Sequence, residues 1–136
     1  MKTSFLDTNV FIRYLTNDDP LKADRVEKLL NEAASGKILL VTTEMVIAEI
    51  VWVLESSYQL SNSDIASKIH AILATRGLEV INGDLVNKAL EYYVEANIDF
   101  IDGYIASTME KKGISEIYSF DRKHLSRLKK LCRREP

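Results

Sequence analysis

The sequence predicts a three-layer α/β/α sandwich around a central, mostly parallel sheet, and three observations predict it. Short apolar runs of strand length alternate with longer segments whose apolar residues recur at helical spacing. Each run is closed by Asn, Asp, Gly or Pro, as at Asn17-Asp18-Asp19-Pro20, Ser35-Gly36, Gly77 and Gly113. The resulting order is strand, helices, strand, helices, strand, helix, helix, strand, helix, which is the pattern of parallel strands joined by helical crossovers. At 136 residues and 46% hydrophobic, with five glycines and two prolines, the chain is expected to form one domain with a substantial core.

The first run, Thr3-Ser4-Phe5-Leu6-Asp7-Thr8-Asn9, reads as a strand that ends in a polar edge and turns into a short helix reaching about Leu15. A helix over residues 20–34 follows, with Pro20 in its first turn and Ala23, Val26, Leu29, Leu30 and Ala33 on one face. Residues 37–41 form the second strand. Thr42-Thr43 then opens a helix to about Ser56, whose Met45, Val46, Ile47, Ile50, Val51, Trp52, Val53 and Leu54 leave little polar face. A helix apolar on most sides is either central or covered by a partner. Glu49 sits inside this run and is expected to face inward, either shielded by a partner or placed for chemistry.

Ser61-Asn62-Ser63-Asp64 resembles a capping box and starts the next helix, which carries Ile65, Ala66, Ile69, Ile72 and Leu73. A strand over residues 78–81 and a helix over residues 84–96 follow. The next helix is read from Asp102 to Lys112, and residues 116–120 as a strand with Asp121 directly after it. The basic residues 122–130 suggest a short helix, and residues 130–134 either an edge strand or a frayed end.

Net charge is -2, so the chain as a whole has no nucleic-acid signature, but from Lys111 onward nine Lys or Arg face three Asp or Glu. Cys132 is the single cysteine, which excludes an intrachain disulfide and a cysteine-only zinc site and suits a reducing cytoplasm. Met1-Lys2 runs straight into the first strand, so no signal peptide is expected, and the apolar run of residues 46–54 is too short to span a bilayer. No G-x-G-x-x-G, phosphate-loop or H-E-x-x-H pattern occurs. His70 reads as structural and His124 as a surface residue.

The acids carry the chemical signal. Asp7 ends the first strand, Asp121 ends the last clear one, Asp102 starts a helix and Glu49 lies in an apolar helix. Each has a bland alternative: Asp99, Asp102 and Asp121 as caps or turn residues, Glu49 as partner to a buried base. Asp7 is the hardest to explain as a cap. Ligands in open α/β sheets bind beyond the carboxyl ends of the strands, and acids gathered there repel one another unless cations hold them. Hard divalent ions take carboxylate oxygens and support phosphodiester hydrolysis.

The ordered set Leu6-Asp7-Thr8-Asn9, Ile47-Ala48-Glu49-Ile50, Phe100-Ile101-Asp102-Gly103-Tyr104-Ile105-Ala106 and Ser119-Phe120-Asp121-Arg122 resembles the PIN-domain family, and within it the VapC-type toxins of toxin–antitoxin pairs. The resemblance implies an endoribonuclease whose Asp7, Glu49, Asp102 and Asp121 form a site for one or two Mg²⁺ or Mn²⁺ ions. It also implies that Thr8, Asn9 and Ser119 hold the carboxylates or a water, with Ser119 standing where the family more often has Thr. Asp99 is an additional acid near Asp102. A small antitoxin and a homodimer are the implied protein partners, and Val46, Trp52 and Val53 are candidates for a self-association surface.

Arg122, Lys123 and Arg127, which follow Asp121 in sequence, are the candidate RNA-binding cations. Four rivals stand beside this reading. An RNA-processing PIN nuclease outside any toxin–antitoxin pair would share the motifs. A haloacid dehalogenase-like phosphohydrolase wants a second Asp where Asn9 stands, and a phosphoacceptor domain wants an acidic pair near the first strand. A non-catalytic interaction module would use the apolar surface of residues 45–54.

Overall fold

Strand pairing is parallel throughout the computed structural model, which describes residues 1–136 and comprises two compact units, Met1–Gly83 and Asp84–Pro136. The α/β class and the parallel pairing are those the sequence predicts.

The first unit runs β1 (Lys2–Phe5), α1 (Thr8–Thr16), α2 (Pro20–Ala34), β2 (Ile38–Thr43), α3 (Glu44–Ser56), α4 (Asn62–Leu73) and β3 (Leu78–Ile81). Its sheet has the order β1-β2-β3. Parallel neighbours need a crossover, so α1 and α2 carry the chain from β1 to β2, and α3 and α4 carry it from β2 to β3. The register sets Phe5 beside Val41 and Leu40 beside Leu78. Leu40, Ile47, Ile50, Leu54, Ile65 and Ile69 are fully buried, and each side chain of this size contributes about 1.5–3 kcal/mol by leaving water. The caps are local and legible. The Asp19 carboxylate accepts from Lys22 N at 3.2 Å, Thr43 Oγ1 from Val46 N at 3.4 Å, and Ser61 Oγ from Asp64 N at 3.2 Å. Gly77 turns the chain into β3 with φ +82, where a Cβ would collide with the Ala33 carbonyl.

The second unit runs α5 (Gly83–Glu95), α6 (Phe100–Lys112), β4 (Glu116–Tyr118), a 3₁₀ turn (Leu125–Arg127) and β5 (Cys132–Arg134). Ile98, Ala106, Leu125 and Leu128 form a buried cluster, and Tyr93 meets Phe100 edge-to-face at 6.2 Å. The α5–α6 contact depends on Gly103: a Cβ there would stand 2.8 Å from the Ala89 carbonyl oxygen.

The second unit departs from the sequence reading in three places. Helix α6 begins at Phe100, not Asp102. Strand β4 stops at Tyr118, because Ser119 Oγ accepts from Asp121 N at 3.0 Å and turns the chain. The basic stretch makes only one 3₁₀ turn, since the Asp121 carboxylate takes the backbone N–H groups of Lys123, His124 and Leu125. The open question over residues 130–134 resolves as a strand: β5 pairs with β4, with Glu116 beside Cys132 and Tyr118 beside Arg134. The two form a separate two-stranded sheet where one central sheet was expected.

Candidate acidic site

In the first unit, β2 fixes the segment that carries Asp7. Leu6 N donates to Val41 O at 2.9 Å, and the fully buried Thr42 hydroxyl donates to Leu6 O at 3.0 Å. The residue after this clamp is Asp7, which is exposed. Contrary to the sequence reading, Asp7 occupies a cap position: it is the N-cap of α1, and its Oδ1 accepts from Thr8 N at 2.8 Å. Only two residues separate β1 from α1, so the strand-end residue and the helix cap are the same residue. Thr8 is buried and Asn9 exposed in the first turn.

Glu49 does not face inward. It is exposed, because the buried stripe of α3 is Ile47, Ile50, Val51 and Leu54, and Glu49 lies off that stripe with Met45 and Trp52. Glu44 was not singled out by sequence, although it follows β2 as closely as Asp7 follows β1. One of its oxygens accepts from Asn82 Nδ2 at 3.3 Å, and the other, Oε2, is buried with no hydrogen-bond partner. Thr42, read from sequence as opening α3 together with Thr43, lies inside β2, and Thr43 alone caps the helix.

In the second unit, Asp99 is the N-cap residue of α6 but makes no side-chain cap bond, and Asp102 stands in the first helical turn. Asp102 is half-buried, and no donor binds its carboxylate. Burial holds its pKa above the ordinary aspartate value, and the charges of Asp121 and Asp99 push it the same way. Asp121 is the opposite case. Its Oδ1 accepts from Lys123 N at 3.1 Å, and its Oδ2 from Leu125 N at 2.9 Å and His124 N at 3.2 Å. These backbone bonds, Leu125 foremost, hold its pKa below the usual range. His124 is half-buried rather than a free surface residue, and Asp99 N donates to its Nδ1 at 3.2 Å. Nothing local in sequence signals that contact, which spans 25 positions.

Of the three candidate RNA-binding cations, two are engaged. Arg122 forms a two-pronged contact with Glu135, Nε to Oε1 at 2.9 Å and Nη2 to Oε2 at 3.2 Å. Arg127 Nη1 donates to the Asn97 carbonyl. Lys123 is exposed.

The donor chemistry of both units suits a hard divalent cation. Carboxylate oxygens predominate, the only cysteine is Cys132 in β5, and both Glu44 Oε2 and the Asp102 carboxylate lack protein donors. Neither unit by itself sets three His, Cys, Asp or Glu side chains where they could hold an ion. No helix is long and apolar enough to cross a membrane.

Residues 4–131 match the PIN domain family model. A VapC ribonuclease of Aquifex aeolicus (strain VF5) is 29% identical over 118 residues, covering 87% of each chain. Among solved structures, VapC20 of Mycobacterium tuberculosis, described as a sarcin-ricin loop cleaving toxin, aligns at 20% identity and a TM-score of 0.42, covering 90% of this chain and 93% of that one. VapBC2 of Rickettsia felis, bound to a DNA fragment from its promoter, aligns at 16% identity and a TM-score of 0.40, covering 98% of each.

Proposed function

The chain belongs to the PIN-domain family, and from that premise we propose that it is a metal-dependent endoribonuclease, the toxin of a toxin–antitoxin pair. The Aquifex aeolicus relative bears the name of a ribonuclease, and its match extends over 87% of this chain. The observation that carries the metal reading is Asp102: a half-buried carboxylate with no donor, pressed by two further carboxylates, is stabilised when a cation is added. Family membership sets aside the haloacid dehalogenase-like and phosphoacceptor rivals.

Asp7, Glu49, Asp102 and Asp121 are the proposed Mg²⁺ or Mn²⁺ ligands, for one or two ions. Bound divalent ions supply Lewis acidity to the scissile phosphate and lower the pKa of water. The chain's own residues do the rest. The Thr42 hydroxyl and the Val41 carbonyl fix the backbone that presents Asp7. Ser119 Oγ holds the backbone of Asp121, and Asn9, Thr8 and Asp99 flank the ligands in sequence. Ligand orientation set in this way governs affinity for the ion. No side-chain nucleophile is required.

The test is cleavage of mixed cellular RNA with Mg²⁺, Mn²⁺ or EDTA by wild type and Asp7→Asn. Metal-dependent cleavage that disappears in the variant is the expected result; equal cleavage in EDTA, or by the variant, overturns the mechanism. The proposed setting is cytoplasmic, beside a small antitoxin. Self-association through α3 belongs to the same proposal. Met45 and Trp52 are 76% and 65% exposed there, while Val46 and Val53 are half-buried. Sedimentation equilibrium at micromolar protein is expected to give a dimer; a monomer of 15.5 kDa rejects it.

A further inference from the structure

A groove of about 430 Å³ between α1 and α2 is lined by Arg13, Lys22 and Arg25, by the Asn9 amide, and by an aliphatic floor that includes Val26 and Leu29. No carboxylate lines it. The larger hollow of the second unit, about 720 Å³, differs in kind: Lys88, Arg127, Lys129 and Lys130 share it with Glu95 and Glu110. That hollow mixes both signs of charge, whereas the lining of the α1–α2 groove keeps a single sign.

Two of the three groove cations are steered by acids of the α1–α2 turn, which do not line the groove. Arg13 Nη1 lies 3.3 Å from Asp18, itself fixed by the Tyr58 hydroxyl at 2.6 Å, and Lys22 Nζ lies 3.9 Å from Asp19. These are long, exposed contacts, which contribute little and are readily exchanged for a better anion. The Arg25 side chain is exposed and forms no ion pair. The groove is also continuous with the proposed catalytic segment. Asn9 forms part of its wall, and Asp7 caps the same helix two residues earlier.

We propose that the α1–α2 groove is a phosphate-binding track that takes the backbone of single-stranded RNA beside Asp7, through Arg13, Lys22 and Arg25. This rests on the ribonuclease reading for its ligand and adds the side chains that seat it. Carboxylates that hold metal also repel the rest of a polyanion, and a cation-lined concavity on the same helix offsets that repulsion. Guanidinium groups suit the task because their planar fork matches phosphate oxygens. The aliphatic floor carries no acceptor to compete.

The experiment measures binding of a labelled single-stranded RNA in EDTA, where cleavage does not occur, across a salt titration. It compares wild type, Lys22→Gln/Arg25→Gln, Arg25→Lys, and Lys28→Gln as a control on the same helix outside the groove. The double variant should bind roughly tenfold more weakly at low salt. Each phosphate neutralised on a single strand adds about 0.7 to the slope of log affinity against log salt, so removing two cations should flatten that slope by about 1.4. Arg25→Lys should retain most of the binding, and Lys28→Gln all of it. All substituted side chains are exposed, and matched thermal midpoints confirm the fold. An unchanged slope in the double variant, an equal effect of Lys28→Gln, or no RNA binding by wild type overturns the track. Competition by polyglutamate as strong as by RNA also overturns it, assigning the groove to an acidic protein. Failure of metal-dependent cleavage with the groove effect intact would strike the nuclease reading alone.

Discussion

The start of α6 and the loop after β4 each present one aspartate of the proposed metal set, and they treat it in opposite ways. Asp121 receives three backbone N–H donors, and its charge is the anchor of the turn that follows. Asp102 receives none, although it is the more enclosed of the two in charge terms, with Asp121 and Asp99 both acting on it. A carboxylate that organises its own loop accounts for itself structurally. One that is half-buried, unpartnered and surrounded by like charge does not, and a cation resolves it.

The largest expected effect breaks this comparison at the level of activity. Asp102→Asn is expected to reduce metal-dependent RNA cleavage by more than the roughly 10–100-fold that outer-sphere changes cost, and Asp121→Asn by a smaller factor than Asp102→Asn, because backbone donors already hold the Asp121 carboxylate. Single-turnover cleavage at saturating Mn²⁺ reads both. An equal reduction would mean that the two loops share one role.

Next in size is Gly103→Ala. The added Cβ would stand 2.8 Å from the Ala89 carbonyl oxygen and 3.3 Å from Tyr92 Cβ, and the α5–α6 contact must open. Stability in urea unfolding should fall by about 1–3 kcal/mol. Because Gly103 adjoins Asp102, the same variant tests whether close helix packing is what encloses that carboxylate. A neutral substitution would remove packing as the reason.

Asp121→Ala should cost about 1 kcal/mol, the ordinary effect of removing a cap acceptor from a turn open to water. Asp121→Asn should recover part of it, because the amide oxygen still accepts. Equal stability of the Ala and wild-type proteins would show that the N–H groups of Lys123, His124 and Leu125 are as well served by solvent.

The smallest effect is one of sign, measured as stability against pH in EDTA. Asp102 has a raised folded-state pKa, so its favourable contribution is complete below 3.8 and is lost as pH rises through the raised value. Asp102→Asn should therefore be the more stable protein at neutral pH, with the gain fading on acidification. Asp121 has a lowered pKa, so its contribution is present above 3.8 and is lost as pH falls through the folded value. Parallel pH profiles for the two variants would contradict the contrast.

The alternation of strand-length and helix-length apolar segments identified the α/β class, the parallel crossovers and several boundaries, Pro20–Ala34 and Leu78–Ile81 among them. Those features are local: a 3.6-residue period, a Ser, Thr or Asp before a helix and a glycine after it are fixed by neighbours in sequence. The order of the four acids, and the places of Asp7 just after β1 and Asp121 shortly after β4, can be read without coordinates. Tertiary structure alone decided what surrounds each of them. Glu49 faces solvent because the core selected the other side of α3. Asp7 caps α1 because a buried hydroxyl on β2 clamps the preceding carbonyl across 36 positions. Arg122 spends its charge on Glu135, while Arg13, Lys22 and Arg25 share a groove that no run of basic residues announces. Sequence records a residue's charge and its place in a helix or strand; desolvation and the sign of the neighbouring charge come from residues distant in the chain, and only the folded packing brings those together.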